Sequence, residues 1–157
     1  MAVMSTEEFA ERINKLVRTG KMMRVLTQVA AESATTMHRE ARLRTTGGNP
    51  LNVRSGALRN SIKFKTEAKA NSVTAEVRAG GRRAFYASVH EYGKVIRAKN
   101  PGGYLRFKIG NKFITTRSVT IPKRPFLAPA RKVAIRNLDA TLIKRTRAAL
   151  RTVGIGG

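Results

Sequence analysis

Apolar residues recur at helical spacing through the N-terminal part of the chain. Ser5 and Glu8 have the spacing of a capping box, and the apolar residues from Phe9 to Val17 then fall on one helical face until Gly20 interrupts the pattern. A second helical pattern follows from Lys21 to Arg44. The sequence therefore predicts two helical segments before the breaker-rich residues 45–50.

The pattern changes to an alternation of apolar and polar residues in the middle of the chain. Ser55 is a plausible cap for one short helical turn, and residues 62–66 and 73–79 then alternate as strands do. The polar residues between these segments predict a first hairpin. Residues 104–109 alternate strictly, and Gly110-Asn111 forms a two-residue turn.

The second hairpin returns along residues 112–120, which places Ile114 opposite Phe107 on one face. Between the hairpins, the spacing of the apolar residues from Phe85 to Val89 predicts a short helical segment that ends at Gly93. A strand remains an alternative there, because aromatic and β-branched residues are abundant. Residues 94–103 carry several cations and breakers and are predicted to form an exposed, flexible, basic loop.

Three prolines organise the joint between the last strand and the last helix. Pro122 and Pro125 fix an extended approach, and Pro129 fits only in the first turn of a following helix, where its missing N–H is tolerated. This joint delivers Phe126 and Leu127 to one fixed place, either to lock the helix onto a sheet or to form an assembly contact. The last helix is predicted from about Phe126 to Leu150.

Together these elements predict one α+β domain over residues 1–157. We expect an antiparallel sheet of four or more strands, with N-terminal helices and a C-terminal helix packed on it. The expected parts are a helical part over 1–46, a sheet part over 51–125, a C-terminal helix over 126–150 and a flexible tail over 151–157.

The net charge of +23 adds information that the pattern does not contain. Residues 1–50 hold eight Lys and Arg against five Glu, whereas residues 101–157 hold thirteen against one Asp. Such a field attracts polyanions, namely nucleic acid, an anionic membrane or an acidic protein surface. Because an isolated monomer would repel itself, we expect a partner of opposite charge.

The residue types argue against several other classes of protein. The chain has no cysteine, so disulfides and thiolate metal sites are excluded, and a reducing interior is expected. Glu7, Glu8 and Glu11 are the wrong charge for a signal peptide, and no apolar run is long enough to span a bilayer.

The sequence also offers little catalytic chemistry. His90-Glu91 resembles part of a zinc-protease motif, but Lys94 stands where the second histidine would be needed. The glycine pairs do not form a phosphate-binding loop, and no serine has a histidine and carboxylate set around it. We therefore expect no enzyme activity, no catalytic residue, no metal and no cofactor.

Three segments carry a resemblance to a known family. Residues 54–62 resemble the R-S/T-G-x-L-R-x-S-I signature of tailed-bacteriophage neck and tail-completion proteins, residues 86–93 resemble Y-A-x-x-x-E-F/Y-G, and residues 121–130 resemble I-P-x-R-P-F-L-x-P-A. The related phage virion-morphogenesis proteins share a similar trio, usually with Gln where Glu91 stands. The basic residues 94–120 match no part of this pattern.

The resemblance implies a small α+β virion subunit that forms a ring, commonly of six copies, at the head–tail junction or the top of the tail tube. Such a subunit completes the tail and joins it to the head, and the genomic DNA passes through the ring. The implied partners are further copies of the chain, head-closure or connector proteins, tail-terminator or tail-tube proteins, and DNA. The implied location is the virion, after assembly in the host cytoplasm.

A ring requires one face of a subunit to bind a different face of the next. We hypothesise that aromatic and apolar residues lie at or just beneath this interface, with burial inside the chain as the alternative, and that three arginines pair with a neighbour's carboxylates or with Glu91. The hypothesised interface residues are Arg54, Arg59, Tyr86, Glu91, Tyr92, Arg124, Phe126 and Leu127. Cations assigned to loops would face DNA or an acidic neighbouring ring. These are Arg82, Arg83, Lys94, Arg97 and Lys99.

Two other functions stay open. A sequence-independent nucleic-acid-binding protein would explain the charge, although the cations are scattered and no aromatic residues are interleaved with them as in single-strand binders. A basic structural subunit of another particle, such as a ribosomal or tail-tube protein, would explain both charge and fold class. An enzyme ranks behind both.

Overall fold

The computed structural model describes residues 5–48, 51 and 55–155 and is organised around one long helix. Helix α1 spans Thr6–Arg18 and helix α2 spans Lys21–Arg44, separated by a left-handed turn at Gly20 (φ 66°). The Ser5 hydroxyl accepts the Glu8 backbone N–H at 3.1 Å, as the capping box predicts. Both predicted helices are confirmed.

A small helix and a hairpin follow and cover one side of α2. Helix α3 spans Ala57–Ser61, and strands β1 (Lys63–Lys69) and β2 (Ser72–Arg78) pair antiparallel through a two-residue turn. Both strands pack against α2, where the His38 ring lies 5.2 Å from the Phe64 ring. Helix α4 then spans Ala87–Tyr92 and ends at Gly93, which confirms the helical prediction for that segment.

A β-ribbon extends between α4 and the last helices. Its strands are β3 (Lys94–Arg97), β4 (Leu105–Ile109), β5 (Lys112–Thr116) and β6 (Ser118–Ile121). Strand β3 pairs with β6, and β4 pairs with β5, so one hairpin is nested inside the other. We call residues 94–121 the arm. The predicted cross-strand pair of Phe107 and Ile114 is confirmed.

The arm corrects two predictions. Residues 94–97 are a strand rather than part of a flexible loop, because Val95 and Ile96 find backbone partners in Thr120 and Val119. The expected single return strand is two strands interrupted at Arg117, where the Thr116 hydroxyl turns back to bond the Ser118 backbone.

The prediction of one sheet of four or more strands is wrong for the described residues. There the strands form three separate two-stranded sheets, β1–β2, β3–β6 and β4–β5. The alternation of apolar and polar residues identifies a strand but carries no information on which other strand it joins. The coarser prediction, a chain of mixed helices and antiparallel strands, is confirmed.

Two helices, rather than one continuous helix, close the chain. Helix α5 spans Leu127–Arg136 and helix α6 spans Leu138–Arg151, and Asn137 lies between them. Both pack against α2. Beyond α6 the Arg12 guanidinium donates to the Gly154 carbonyl at 2.5 Å, so the two ends of the described chain meet.

The main core lies where the C-terminal half of α2 meets α3, α4 and the start of α5. Phe126 is its largest fully buried side chain. The other buried members of this core are Ala41, Leu51, Leu58, Ile62, Ala84, Ala87 and Ala130. No helix in the described part of the chain is both long and apolar enough to cross a membrane.

Candidate functional site

The buried carboxylate of Glu91 joins α4 to the first turn of α5. Its Oε2 accepts the backbone N–H groups of Phe126 at 2.9 Å and Leu127 at 3.0 Å, and its Oε1 accepts that of Ala128 at 2.8 Å. The side chain is 8% exposed. We call residues 90–93 and 121–128 the corner, because Glu91 fixes the direction in which the chain turns there.

The local sequence explains why the corner needs an acceptor from elsewhere. Phe126 occupies the N-cap position of α5 and has no side chain that could accept the free N–H groups of the first turn. Pro129 in that turn contributes no N–H. Glu91 therefore replaces the missing cap, and its negative charge also suits the positive end of the helix dipole.

Backbone contacts close the corner on its other side. The Arg124 N–H donates to the His90 carbonyl at 2.6 Å. Gly93 has φ +73°, and a Cβ there would lie 3.1 Å from both the Ile121 carbonyl oxygen and the Lys123 nitrogen. Glycine is thus required both by the left-handed conformation and by the close approach of the strand that returns from the arm.

His90 is poorly accommodated in its charged form. Burial, and secondarily the positive charge of Arg124, lower the pKa of His90 below its ordinary value. Its Nδ1 is buried and makes no hydrogen bond with any described residue, while its ring meets the Tyr86 ring edge-on at 5.5 Å. The corner consequently favours the neutral imidazole.

The four apolar candidates of the hypothesised interface lie in different environments. Phe126 is completely buried in the core, and Tyr86 and Leu127 are half-buried against it. Tyr92, the last residue of α4, is 80% exposed. Of these four, Tyr92 offers by far the largest free surface to a neighbour.

The arginine candidates do not bind Glu91 in the described structure. Arg59 and Arg124 are exposed and form no ion pair with another described residue. Arg54 lies outside the described residues. Pairing of these arginines with a neighbour's carboxylates stays a prediction.

A basic cleft forms where the turn after β2 approaches α3. It has a volume of about 950 Å³, and its charged lining consists of Lys63, Arg78, Arg82 and Arg83, with no carboxylate. Ser55, Asn60 and Ser61 line it as well. The structure therefore brings Arg82 and Arg83 together with the segment at 55–61, a proximity that the sequence analysis did not foresee.

The other predicted partner-facing cations lie on the arm, away from this cleft's lining. Lys94 and Arg97 are on β3 and Lys99 follows it, and all three are exposed. Arg106 stacks over the Phe113 ring at 4.8 Å, and Arg117 over the Tyr104 ring at 5.7 Å. Within the described ranges there is no group of three or more His, Asp or Glu that could hold a metal ion.

Sequence reasoning missed the capping role of Glu91. The available signal was the apolar N-cap position of the predicted last helix, which left its first N–H groups without a local acceptor. Because the acceptor lies 35 residues earlier in the chain, no short-range pattern identifies it.

Comparison with known proteins gives one match, which covers most of the chain. The model of the phage virion morphogenesis family matches residues 4–145. No curated protein sequence and no solved structure gives a significant match.

Proposed function

This chain belongs to the phage virion morphogenesis family, and we propose that it is a structural subunit that closes into a ring at the head–tail junction. Family membership assigns the chain to the assembly of the phage virion. In the finer role proposed here, the ring sits at the top of the tail tube, completes the tail and joins it to the head. Its neighbours would be head-closure or connector proteins on one side and tail-terminator or tail-tube proteins on the other.

The uncovered apolar surface of the arm carries this proposal. Fifteen large apolar side chains are exposed among the described residues, and six of them lie on the arm. Scattered apolar residues are normal on a monomer, whereas a concentration on one extended element is typical of a contact surface. The six are Val95, Ile96, Tyr104, Ile109, Phe113 and Ile114.

The positive charge supports a place beside DNA or an acidic ring. The described surface outside α1 carries cations on the arm, in the basic cleft and on α6 with few carboxylates to balance them. Thirty-two Lys and Arg against nine Asp and Glu would make a closed ring of such subunits strongly electropositive. A lumen with this field would suit the passage of a DNA duplex. The absence of catalytic activity stays a prediction.

Electron microscopy of the purified full chain tests the proposal directly. We expect closed rings of uniform diameter, and an antibody or gold label on the chain should mark the head–tail junction of intact particles. Monomers that never assemble, tubes that grow without limit, or a label elsewhere on the particle would contradict the proposed role. In the same phage, reversing the charges of Arg82, Arg83 and Lys99 should lower the yield of joined particles.

The basic cleft also favours a second candidate, a sequence-independent nucleic-acid-binding protein. Four cations line it, and phosphate contacts alone give salt-dependent binding. Tight, salt-sensitive binding of the monomer to random duplex DNA, lost in an Arg82→Glu, Arg83→Glu variant and accompanied by no rings, would support this function instead.

A further inference from the structure

We infer that the arm of one copy docks on helix α1 of a second copy, with the apolar face of the β4–β5 hairpin covering the exposed apolar edge of that helix. This contact rests on the proposed ring and identifies the two faces that would form its subunit interface. The subunit would use one face to give the contact and a different face to receive it, which is the arrangement that closes rings.

The β4–β5 hairpin has one apolar face that the chain itself leaves open. Because alternate residues share a face, Phe107 and Ile109 lie together, and the pairing register adds Ile114 to them. Ile109 is 59% and Ile114 is 38% exposed. A two-stranded hairpin is marginally stable in water alone, and in the described structure no helix packs extensively on this one.

Helix α1 presents an apolar edge of its own. Leu16 is completely buried against the rest of the chain, but Phe9 is 47% and Val17 is 61% exposed. The helix packs on α2 and α6, and these contacts leave the outer part of its apolar face uncovered. The two open apolar surfaces of the chain can therefore cover each other between copies.

Charge complementarity points to α1 over the other exposed helices. The arm carries seven Lys and Arg and no Asp or Glu. Glu7, Glu8 and Glu11 are three of the nine Asp and Glu of the whole chain and lie within two turns of α1. Glu8 pairs with Arg12, whereas Glu7 and Glu11 are exposed, one turn apart, and pair with no described residue.

DNA fits the arm less well than a second copy does. A duplex would neutralise the cations of the arm, but it would leave the apolar face of Phe107, Ile109 and Ile114 in water. A helix with both apolar and acidic residues satisfies both properties of the arm. The arm would dock through Lys108 and Lys112 near its tip, beside Ile109.

Disulfide cross-linking between copies tests the contact, since the natural chain has no cysteine. Full-length Phe9→Cys and Ile109→Cys proteins are purified separately, mixed and oxidised. We expect a linked dimer from the mixture, while neither protein should give that product alone. A mixture of Ile109→Cys with Ile143→Cys is the matched control, because Ile143 is exposed to a similar degree on α6, and it should give at least tenfold less product.

Charge exchange provides a second, independent readout. A Glu7→Lys, Glu11→Lys variant and a Lys108→Glu, Lys112→Glu variant should each raise the protein concentration needed for ring formation, on the order of tenfold. Combining the four changes should restore assembly. A Lys144→Glu, Arg147→Glu variant makes the same charge change on α6 and should assemble as the natural chain does. Circular dichroism checks that each variant is folded.

The outcomes separate this contact from the proposed ring. Rings that form without the disulfide between the Phe9→Cys and Ile109→Cys copies, and without rescue by the combined variant, overturn the contact and leave the ring standing. Variants of the arm that form rings normally but lose binding to duplex DNA overturn it as well and assign the arm to DNA. If the natural chain forms no ring, the proposed function fails, and a specific cross-link would still support the contact.

Discussion

Removing the carboxylate of Glu91 should destabilise the whole fold, because three backbone N–H groups depend on it. In a Glu91→Ala variant the N–H of exposed Ala128 can turn to water, whereas those of buried Phe126 and half-buried Leu127 cannot do so easily. Each unsatisfied buried donor costs about 1–3 kcal/mol, and losing the anion at the helix N-terminus adds up to ~2 kcal/mol. We expect the free energy of unfolding to fall by about 3–5 kcal/mol.

A Glu91→Gln variant separates hydrogen-bond acceptance from charge. Its single amide oxygen can accept two N–H groups, while its NH₂ faces the third donor and cannot accept from it. We expect a loss of about 2 kcal/mol, between that of the natural chain and that of Glu91→Ala.

Urea denaturation followed by circular dichroism measures both losses on the full chain. All proteins are compared at one fixed concentration, since assembly would add to the apparent stability. Glu67→Ala is the matched control, because Glu67 is an exposed carboxylate that pairs with Lys65, and its removal should cost less than ~1 kcal/mol. A Glu91→Ala protein as stable as this control would refute the capping role.

Three further predictions concern the corner and the core. Gly93→Ala should cost about 1–3 kcal/mol in denaturation, because its Cβ would meet two backbone atoms at 3.1 Å, whereas Gly102→Ala, at a similar positive φ but in open space, should cost about 1 kcal/mol; equal losses would show that the close approach is unimportant. Phe126→Ala should cost about 3–5 kcal/mol by opening a cavity in the core, with Phe126→Leu intermediate, and a loss below ~1 kcal/mol would contradict its burial. Since the folded-state pKa of His90 is lowered from 6.5, the unfolded chain takes up this proton first as the pH falls, so the stability that neutral His90 contributes is present above pH 6.5 and is lost as the pH falls through the lowered folded-state value. His90→Gln should therefore reduce the difference in unfolding free energy between pH 8 and pH 5, and an unchanged difference would contradict this reasoning.

The elements that could be predicted from the sequence are those whose determinants are local. The limits of α2 at Lys21 and Arg44 follow from the left-handed Gly20 before it and the breakers after it. The turn at Gly110-Asn111 fixes the register that places Phe107 opposite Ile114. In these cases a few neighbouring residues decide the structure.

The features that could not be predicted depend on distant partners. Strand β3 exists because residues 118–121 return beside it, and its own four residues show no alternation that would identify it. The cap of α5 comes from Glu91, and the basic cleft arises because the turn after β2 folds back onto α3. None of these contacts leaves a periodic signal in the sequence.

The corner has a consequence for how such a subunit can diversify. Both ends of the arm are anchored there, by the contact of Gly93 with Ile121 and by the hydrogen bond from Arg124 to His90. An insertion with adjoining ends can be shortened to a tight turn or extended without disturbing the core, since each doubling of a flexible loop costs only about 0.6 kcal/mol in closure entropy. The same helical scaffold could thus exchange one arm for another and change its assembly partner while its own folding stays the same.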